Sequence, residues 1–562
     1  MKHRLQWLTY ICLFLIVIVG GLVRFYQLGV IPSGITDDEA NAGYDAYSLL
    51  KTGKDQWNTP YPIFSFKGFG DYRSPVYTYL ILPLLPFMDM NPFWLRFPAA
   101  LLGTITILLV YGIAKGLKFS TASALIAALL FALNPWHIGM SRTAMVIVVG
   151  LFFLCLGLLL LLYARKRLLY VIFSCIFFGI TIYAYPAYLV ITPIVIGFST
   201  FILFKEKHIT KRQIFIGLTV CLFTVIPYIF SSNSTGVRMG QVNIFRDTGT
   251  MDLLNEKLGT CRRTSPKFIC TLTYNRFSAF GMKFAVNYVR HFSPDLLFSN
   301  GTATQYSVLP ERGLLLFFEY IFFIIGIFYL ILNGKNIVPA FLLTLLLFAP
   351  VPDSLTGGGH YGRYFVVLPF IQLTAVYGIG KIIASLGTWV VIPIVAGILI
   401  ESAFFGVEYL TYFPYAFSRY SHFGYEELSA YLVKSKDMYD DVYVSGGVND
   451  AKQYIFYIFY TKYDPMLFQN GYGIEKITEP NGWIRVQKIG NIHFIPRLPE
   501  IASPLDEKDK RILYIAAPSE FSNAHIPSVY EIHDKRGDVL FRAISLYDWK
   551  RCLEIDCRED GR

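Results

Sequence analysis

Along this chain, apolar side chains gather into long uncharged runs separated by short polar connectors. Eleven such runs, at 8–24, 93–115, 121–137, 144–164, 168–184, 187–204, 213–230, 313–332, 336–351, 364–384 and 388–409, lie near the ~20 residues an α-helix needs to cross a bilayer. A further run, "PVYTYLILPLLPFM" at 75–88, is short and interrupted by prolines, so it is expected to lie at the interface or re-enter rather than span. After about residue 411 the pattern changes. Strand-like runs ("DDVYVSGG", "RILYIAA", "VLFRAIS") alternate with a helical one ("AKQYIFYIFYTKY"), and charge becomes frequent, which predicts a small α/β domain over 411–562. The stretch "SGGVNDAKQ" is too weak a match to a phosphate loop to suggest a nucleotide site. The expected division is a transmembrane domain over 1–410, with outer loops at 25–92 and 231–312, followed by that tail.

Composition agrees with a membrane protein, since 54% of the 562 residues are hydrophobic, more than one water-soluble core absorbs. The net charge of +11 resides largely in short connectors. Basic loops are retained in the cytoplasm. With Met1–Gln6 inside, eleven alternating spans put 115–118, 164–167, 205–212, Lys335 and Lys381 on that same side. Counting 75–88 as a span would divide these loops between the two faces. The expected location is therefore the plasma membrane, with a cytoplasmic N-terminus and an extracytoplasmic tail. The positive charge then reflects contact with anionic lipid, and no basic–aromatic module for nucleic acid appears. The first run lacks a small-residue cleavage site and is expected to persist as a helix.

The cysteines divide by compartment. Cys12, Cys155, Cys175 and Cys221 fall inside spans, whereas Cys261, Cys270, Cys552 and Cys557 fall on the outer side, where disulfides persist. Proximity in sequence predicts the bridges Cys261–Cys270 and Cys552–Cys557.

Directly after the first run, "GITDDEANAGYDAYSLL" carries Asp37, Asp38 and Glu39 in succession. Thr36 and Glu39 form a capping-box pattern, so the acids suit the start of a helix on local grounds alone. They share the predicted outer side with Asp71, Tyr72 and Arg73 in "FGDYRSP", Arg142 in "NPWHIGMSR", Tyr183 and Tyr185 in "IYAYPAY", and His360, Arg363 and Tyr364 in "GGGHYGRY". Each group stands at the end of a different run. Carboxylates and cations gathered at one membrane level suit sugar transfer from a polyprenyl phosphate: a carboxylate takes the acceptor's proton while basic groups neutralise the leaving phosphate.

In residues and order, 36–117 resembles the first outer loop and second span of the protein O-mannosyltransferase and aminoarabinose transferase superfamily, which uses lipid-carried sugars. The resemblance rests on an Asp-Glu pair, a helix ending "LLKTG", a "GDYR-x-P" element and "RFPAALLG", with weaker likeness in "NPWHIGMSR", "HFSPDLLF", "YFPYAFSRY" and "FGYEELSAYL". It implies a GT-C-like polytopic α-helical membrane protein of about 11 spans, with a large first outer loop and a C-terminal soluble α/β domain, catalysing inverting glycosyl transfer. By that resemblance Asp38 is the base, with Glu39 beside it and Asp37 an extra acid. Arg73, Arg363, His360 and Arg142 are expected to hold donor phosphate, and Asp71, Tyr72, Tyr185 and Tyr364 to line the substrate pocket. The family's second acid, a few residues after Arg142, is missing from "SRTAMVIVV". The implied partners are a polyprenyl-phosphate-linked sugar, a hydroxyl-bearing acceptor on protein, lipid or glycan, and membrane lipid. No cofactor is expected, although three clustered acids also suit a divalent cation. Two other readings fit the same topology: a flippase for lipid-linked saccharide, with Glu401 as the main ionisable residue within a span, and a non-catalytic subunit whose tail binds glycan.

Overall fold

The computed structural model describes residues 2–69, 72–165, 167–231, 243–300, 309, 312–356, 361–418, 422–446, 452–479, 484–498, 510–521 and 526–555. In chain order the first elements are α1 (Lys2–Phe25), α2 (Asp37–Thr52), β1 (Phe66–Lys67), β2 (Tyr72–Arg73), α3 (Pro75–Ile81), α4 (Pro92–Gly116), α5 (Thr121–Ala132), α6 (Pro135–Ser141), α7 (Val146–Leu162), α8 (Leu168–Ala184), α9 (Tyr188–Lys205) and α10 (Lys211–Phe230). Further apolar helices follow at Glu319–Leu332, Ile337–Phe348, Leu368–Leu386 and Val391–Thr411, so each expected run meets a helix. Among the described residues, seven helices are long and apolar enough to cross a membrane, or eight if the bent pair α5–α6 forms one span. α7, α8 and Glu319–Leu332 are apolar but shorter, which accounts for the difference from the expected eleven. The proline-rich 75–88 run yields the seven-residue α3 and then turns, far short of a span.

Two compact units divide the chain: residues 1–26 with 99–406, and residues 27–98 with 407–562. The first unit is the helical bundle. Gly326 and Gly378 let two of its helices cross at backbone contact, because a Cβ on Gly326 would lie 2.1 Å from Thr374 O and one on Gly378 2.4 Å from Phe322 O. Small residues are the usual means of close helix approach in lipid. α5 and α6 bend by 53° at the break before Pro135. Asn134 restarts the helix there by accepting from His137 N at 2.8 Å. The loop 231–312 contains the helices Thr248–Thr264, Lys267–Thr273 and Arg276–Arg290, with a Cys261–Cys270 disulfide joining the first two. Cys552 is disulfide-bonded as well, and its expected partner Cys557 lies outside the described residues.

The second unit is organised on a seven-stranded mixed sheet of order β4-β5-β6-β3-β7-β9-β8, formed by β3 (Asp441–Ser445), β4 (Ile474–Thr478), β5 (Ile484–Ile489), β6 (Ile492–Ile495), β7 (Ile512–Ala516), β8 (Tyr530–His533) and β9 (Val539–Ser545). β3 is parallel to both neighbours, with Val442 opposite Ile492 and Leu513, and the remaining pairs are antiparallel. The three expected strand runs are β3, β7 and β9, and the expected helix is Gln453–Tyr460.

One expected boundary differs. The first outer loop, assigned from the sequence to the membrane domain, forms one unit with the tail. The reason is burial. Gln453–Tyr460 buries every residue from Gln453 to Phe459, so it is covered on all sides, and α2 provides part of that cover. Gly43 of α2 allows the approach, since a Cβ there would meet Phe459 and Leu95 side chains at 2.6 Å each. Polar contacts fix the register: Tyr44 OH donates to Tyr463 O at 3.0 Å, and Gln469 Nε2 donates to Ser48 Oγ, Thr52 Oγ1 and Asp55 O at 2.9, 2.8 and 2.9 Å.

Candidate active site

The capping box expected from the sequence starts α2. Thr36 Oγ1 accepts from Glu39 N at 3.1 Å, and Glu39 Oε2 accepts from Thr36 N at 2.8 Å. The second Glu39 oxygen accepts from Arg96 Nε at 2.8 Å, and both side chains are 1% exposed. Arg96 also donates to the carbonyls of Leu28 and Pro32 at 3.2 and 2.9 Å and to that of Gly34. A buried charge is tolerated when its partner and donors are all engaged, as here. Glu39 therefore locks the helix start to the chain on either side.

Its two neighbours face elsewhere. Asp37 Oδ2 accepts from Lys452 Nζ at 2.7 Å, and its Oδ1 accepts from Asp38 N at 3.0 Å. Burial pushes the Asp37 carboxyl up, but Lys452 and Arg73 outweigh it and hold the group below the usual carboxylate range. Asp38 pairs with Arg73 at 3.2 Å and keeps a side-chain exposure of 67%. The three successive acids thus take three different cations. Among the described residues no group of three or more His, Cys, Asp and Glu side chains is placed to hold a metal, and this donor set does not fit a shared divalent ion.

Arg73 is itself oriented from behind. Its guanidinium lies 4.5 Å from the Phe69 ring centroid, a ring also approached by Lys452 Nζ at 5.0 Å. The Asn41 amide, turned with its oxygen toward Arg73 at 3.2 and 3.3 Å, donates from nitrogen to Asp45 Oδ2 at 2.7 Å. Asp45 Oδ1 accepts from Gln56 N and Nε2, each at 3.1 Å. Asp38, Asn41 and Asp45 recur at spacings of three and four, so they share one face of α2. Asp45 is buried, and desolvation, reinforced by the nearby Asp55, pushes its carboxyl up to about 8 despite the Gln56 bonds. None of Asn41, Asp45, Arg96 and Lys452 was singled out from the sequence as a site residue. Arg96 was nonetheless visible as a charge near the start of an apolar run.

The helical unit holds a second polar group. His291 bridges Asn287 O at 2.7 Å and Asp353 Oδ2 at 2.8 Å, and its ring lies 4.6 Å from that of Tyr364. Arg363 Nη1 donates to Thr356 O at 2.6 Å and Thr356 Oγ1 at 2.8 Å, and approaches Asp353 Oδ1 at 3.6 Å. Asp353 is fully buried while Arg363 remains partly exposed, so the guanidinium stands at the mouth of an internal network. Tyr364 is buried and packs against Trp136, with ring centroids 6.0 Å apart.

Several expected site residues fall differently. Arg142 is fully buried and donates to the carbonyls of Val23, Arg24 and Tyr26 at 2.6, 3.1 and 2.7 Å. It caps the end of α1, a role at odds with the expected phosphate contact. Arg24 does the reverse, donating to Ala132 O and Phe131 O at the broken end of α5 and contacting His137 Nδ1 at 2.8 Å. Each buried arginine thus satisfies backbone carbonyls that a helix end leaves open. Tyr72 sits in β2 opposite Lys67, and Tyr185, half-buried, ends α8. Asp71 and His360 lie outside the described residues.

These features define a polytopic membrane protein whose charged helix ends are ordered by paired acids and cations. Residues 72–230 match the dolichyl-phosphate-mannose-protein mannosyltransferase family model, which bears out the resemblance seen in the sequence over that stretch, while α2 and its acids precede it. No curated protein matches. Solved structures with a similar fold include the following three. The first is ArnT from Cupriavidus metallidurans bound to undecaprenyl phosphate, at 12% identity, TM-score 0.49, covering 94% of this chain and 97% of that one. The second is the Archaeoglobus fulgidus oligosaccharyltransferase AglB in complex with an inhibitory peptide and a dolichol-phosphate, at 13% identity, TM-score 0.47, covering 89% and 75%. The third is the apo oligosaccharyltransferase of Archaeoglobus fulgidus, at 14% identity and TM-score 0.45, where the match covers 80% of this chain and 64% of that one.

Proposed function

We propose that the protein is an inverting glycosyltransferase that moves a sugar from a polyprenyl-phosphate carrier to a hydroxyl-bearing acceptor at the outer membrane face. Asp38 is the general base. The acceptor O–H gives its proton to the Asp38 carboxylate as the oxygen bonds to the anomeric carbon. The bond from that carbon to the phosphate oxygen breaks, and the polyprenyl phosphate leaves with the electron pair. Arg73 pairs with Asp38 at 3.2 Å and orients it. The resemblance assigns a donor-phosphate role to Arg363 of the helical unit, whose Nη1 is held by Thr356.

The observation that carries this reading is the sorting of the acids. Glu39 is sealed in its pair with Arg96 and Asp37 is tied to Lys452, whereas Asp38, paired with Arg73, keeps a side-chain exposure of 67%. The Cys261–Cys270 disulfide supports an extracytoplasmic position for the loop that bears it. A transport reading draws less support. Glu401 accepts from Phe317 N and Phe318 N at 2.5 and 2.8 Å, so the acid suspected of serving a pathway ties down a helix start.

The test is reconstitution in vesicles made with total lipid from the expressing cells and a crude envelope acceptor fraction, followed by lipid mass spectrometry. Transfer converts polyprenyl-phosphate sugar into free polyprenyl phosphate and adds one sugar mass to the acceptor. Movement of carrier lipid between leaflets at unchanged mass would replace this reading with a flippase.

A further inference from the structure

The end of the helical unit remote from Arg142, Tyr185 and Arg363 contains a cavity of about 110 Å³. It opens where α4, α7 and α9 end and the helix Ile337–Phe348 begins. Lys115, Lys118, Arg165 and His208 line it, with Glu206 as the acid. Three permanent cations against one carboxylate leave a formal charge of +2 with His208 neutral. Glu206 is already shared, accepting from Lys118 Nζ at 3.1 Å and contacting His208 Nδ1 at 3.4 Å. Lys115 Nζ donates to Thr121 Oγ1 at 3.1 Å.

Two observations point to an anion with an apolar tail rather than to a solvated basic rim. The inner wall is aliphatic and aromatic, formed by Ile202, Leu203 and Phe341. Ser199, also lining the cavity, is 1% exposed, and its hydroxyl has no hydrogen-bond partner among the described residues. A buried hydroxyl without a partner is costly and marks a place where a polar ligand is missing. Basic pockets between helix ends bind anionic lipid head groups by the same combination of charge and apolar wall.

We propose that this cavity binds a phosphate group, carried by an anionic phospholipid whose acyl chain lies along the apolar wall. The site is separate from the transfer chemistry and does not depend on it.

The purified protein in neutral detergent is delipidated and titrated with phosphatidylglycerol, with phosphatidylcholine and with inorganic phosphate, while native mass spectrometry counts retained lipid and a thermal scan follows Tm. One phosphatidylglycerol retained per chain, with a raised Tm and about tenfold weaker retention in Arg165→Gln and in Lys115→Gln/Lys118→Gln, supports a lipid head group. Protection by inorganic phosphate alone, lost in the same variants, assigns the site to a soluble phosphate source and overturns the lipid. Equal retention of phosphatidylcholine, or wild-type retention by both variants, overturns the proposal. Arg165 is exposed, so its variant keeps the fold even if the double variant does not.

Discussion

Asp38 and Glu39 are adjacent acids, and substitution at each should fail in a different way. Glu39→Gln removes the charge opposite Arg96 in a pair that is 1% exposed on both sides. Breaking one partner of a buried pair costs about 3–5 kcal/mol, because the other charge stays buried. At roughly 2–4 °C per kcal/mol for a unit of this size, the second unit should lose about 6–20 °C in Tm. Asp38→Asn instead disturbs a pair whose acid is 67% exposed. Such a pair contributes at most about 1 kcal/mol, so Tm should move by no more than a few degrees. Transfer, measured as release of polyprenyl phosphate by mass spectrometry, should nevertheless fall roughly 10²–10⁴-fold with the base gone. Turnover near wild type in Asp38→Asn would refute the assignment. A Glu39→Gln protein with wild-type Tm and no turnover would move the base one residue along.

Further outcomes follow from the same geometry. Asp45 is pushed up to about 8, so the folded state binds a proton that the unfolded chain releases near pH ~4. Its contribution is therefore full below about pH 4 and is lost as pH rises to about 8, and Asp45→Asn should flatten that part of a Tm-versus-pH profile. Asp37 runs the other way, held low by Lys452 and Arg73, so its contribution is present above the unfolded pKa and fades on acidification. A double-mutant cycle of Asp37→Asn and Lys452→Met should show coupling of about 1 kcal/mol at neutral pH in denaturation experiments. Arg142→Met should cost about 3 kcal/mol or more and lower the folded yield by size-exclusion fluorescence, because three carbonyls at the end of α1 lose their donor. Donor affinity in the surviving fraction should stay unchanged. Peptide mapping without reductant should recover Cys261 and Cys270 as one linked species, and two alkylated free thiols there would contradict an outer location for that loop.

What was legible in the sequence is what local pattern determines, and what was missed depends on partners distant along the chain. Apolar runs locate helices because a bilayer forces every backbone group to be satisfied within its own segment, and the capping box is a four-residue device that Thr36 and Glu39 spell out completely. The same four residues say nothing of Arg96, which arrives 57 positions later and turns Glu39 from a candidate catalyst into a lock. Lys452 does the same to Asp37 from 415 positions away. Arg142 misled in the opposite direction. A cation at a helix end reads as a surface group, but the end of α1 leaves carbonyls that buried Arg142 satisfies, as buried Arg24 does at the bend before Pro135. The grouping of 27–98 with the tail has a related origin: "QYIFYIFY" is apolar on every face, a sign that something must cover it, without naming α2 as the cover. Reading the acidic triplet from sequence therefore yields three equivalent carboxylates. Tertiary structure makes them unequal by giving two of them cations that leave little room for substrate, and that inequality, more than the density of negative charge, is what singles out Asp38.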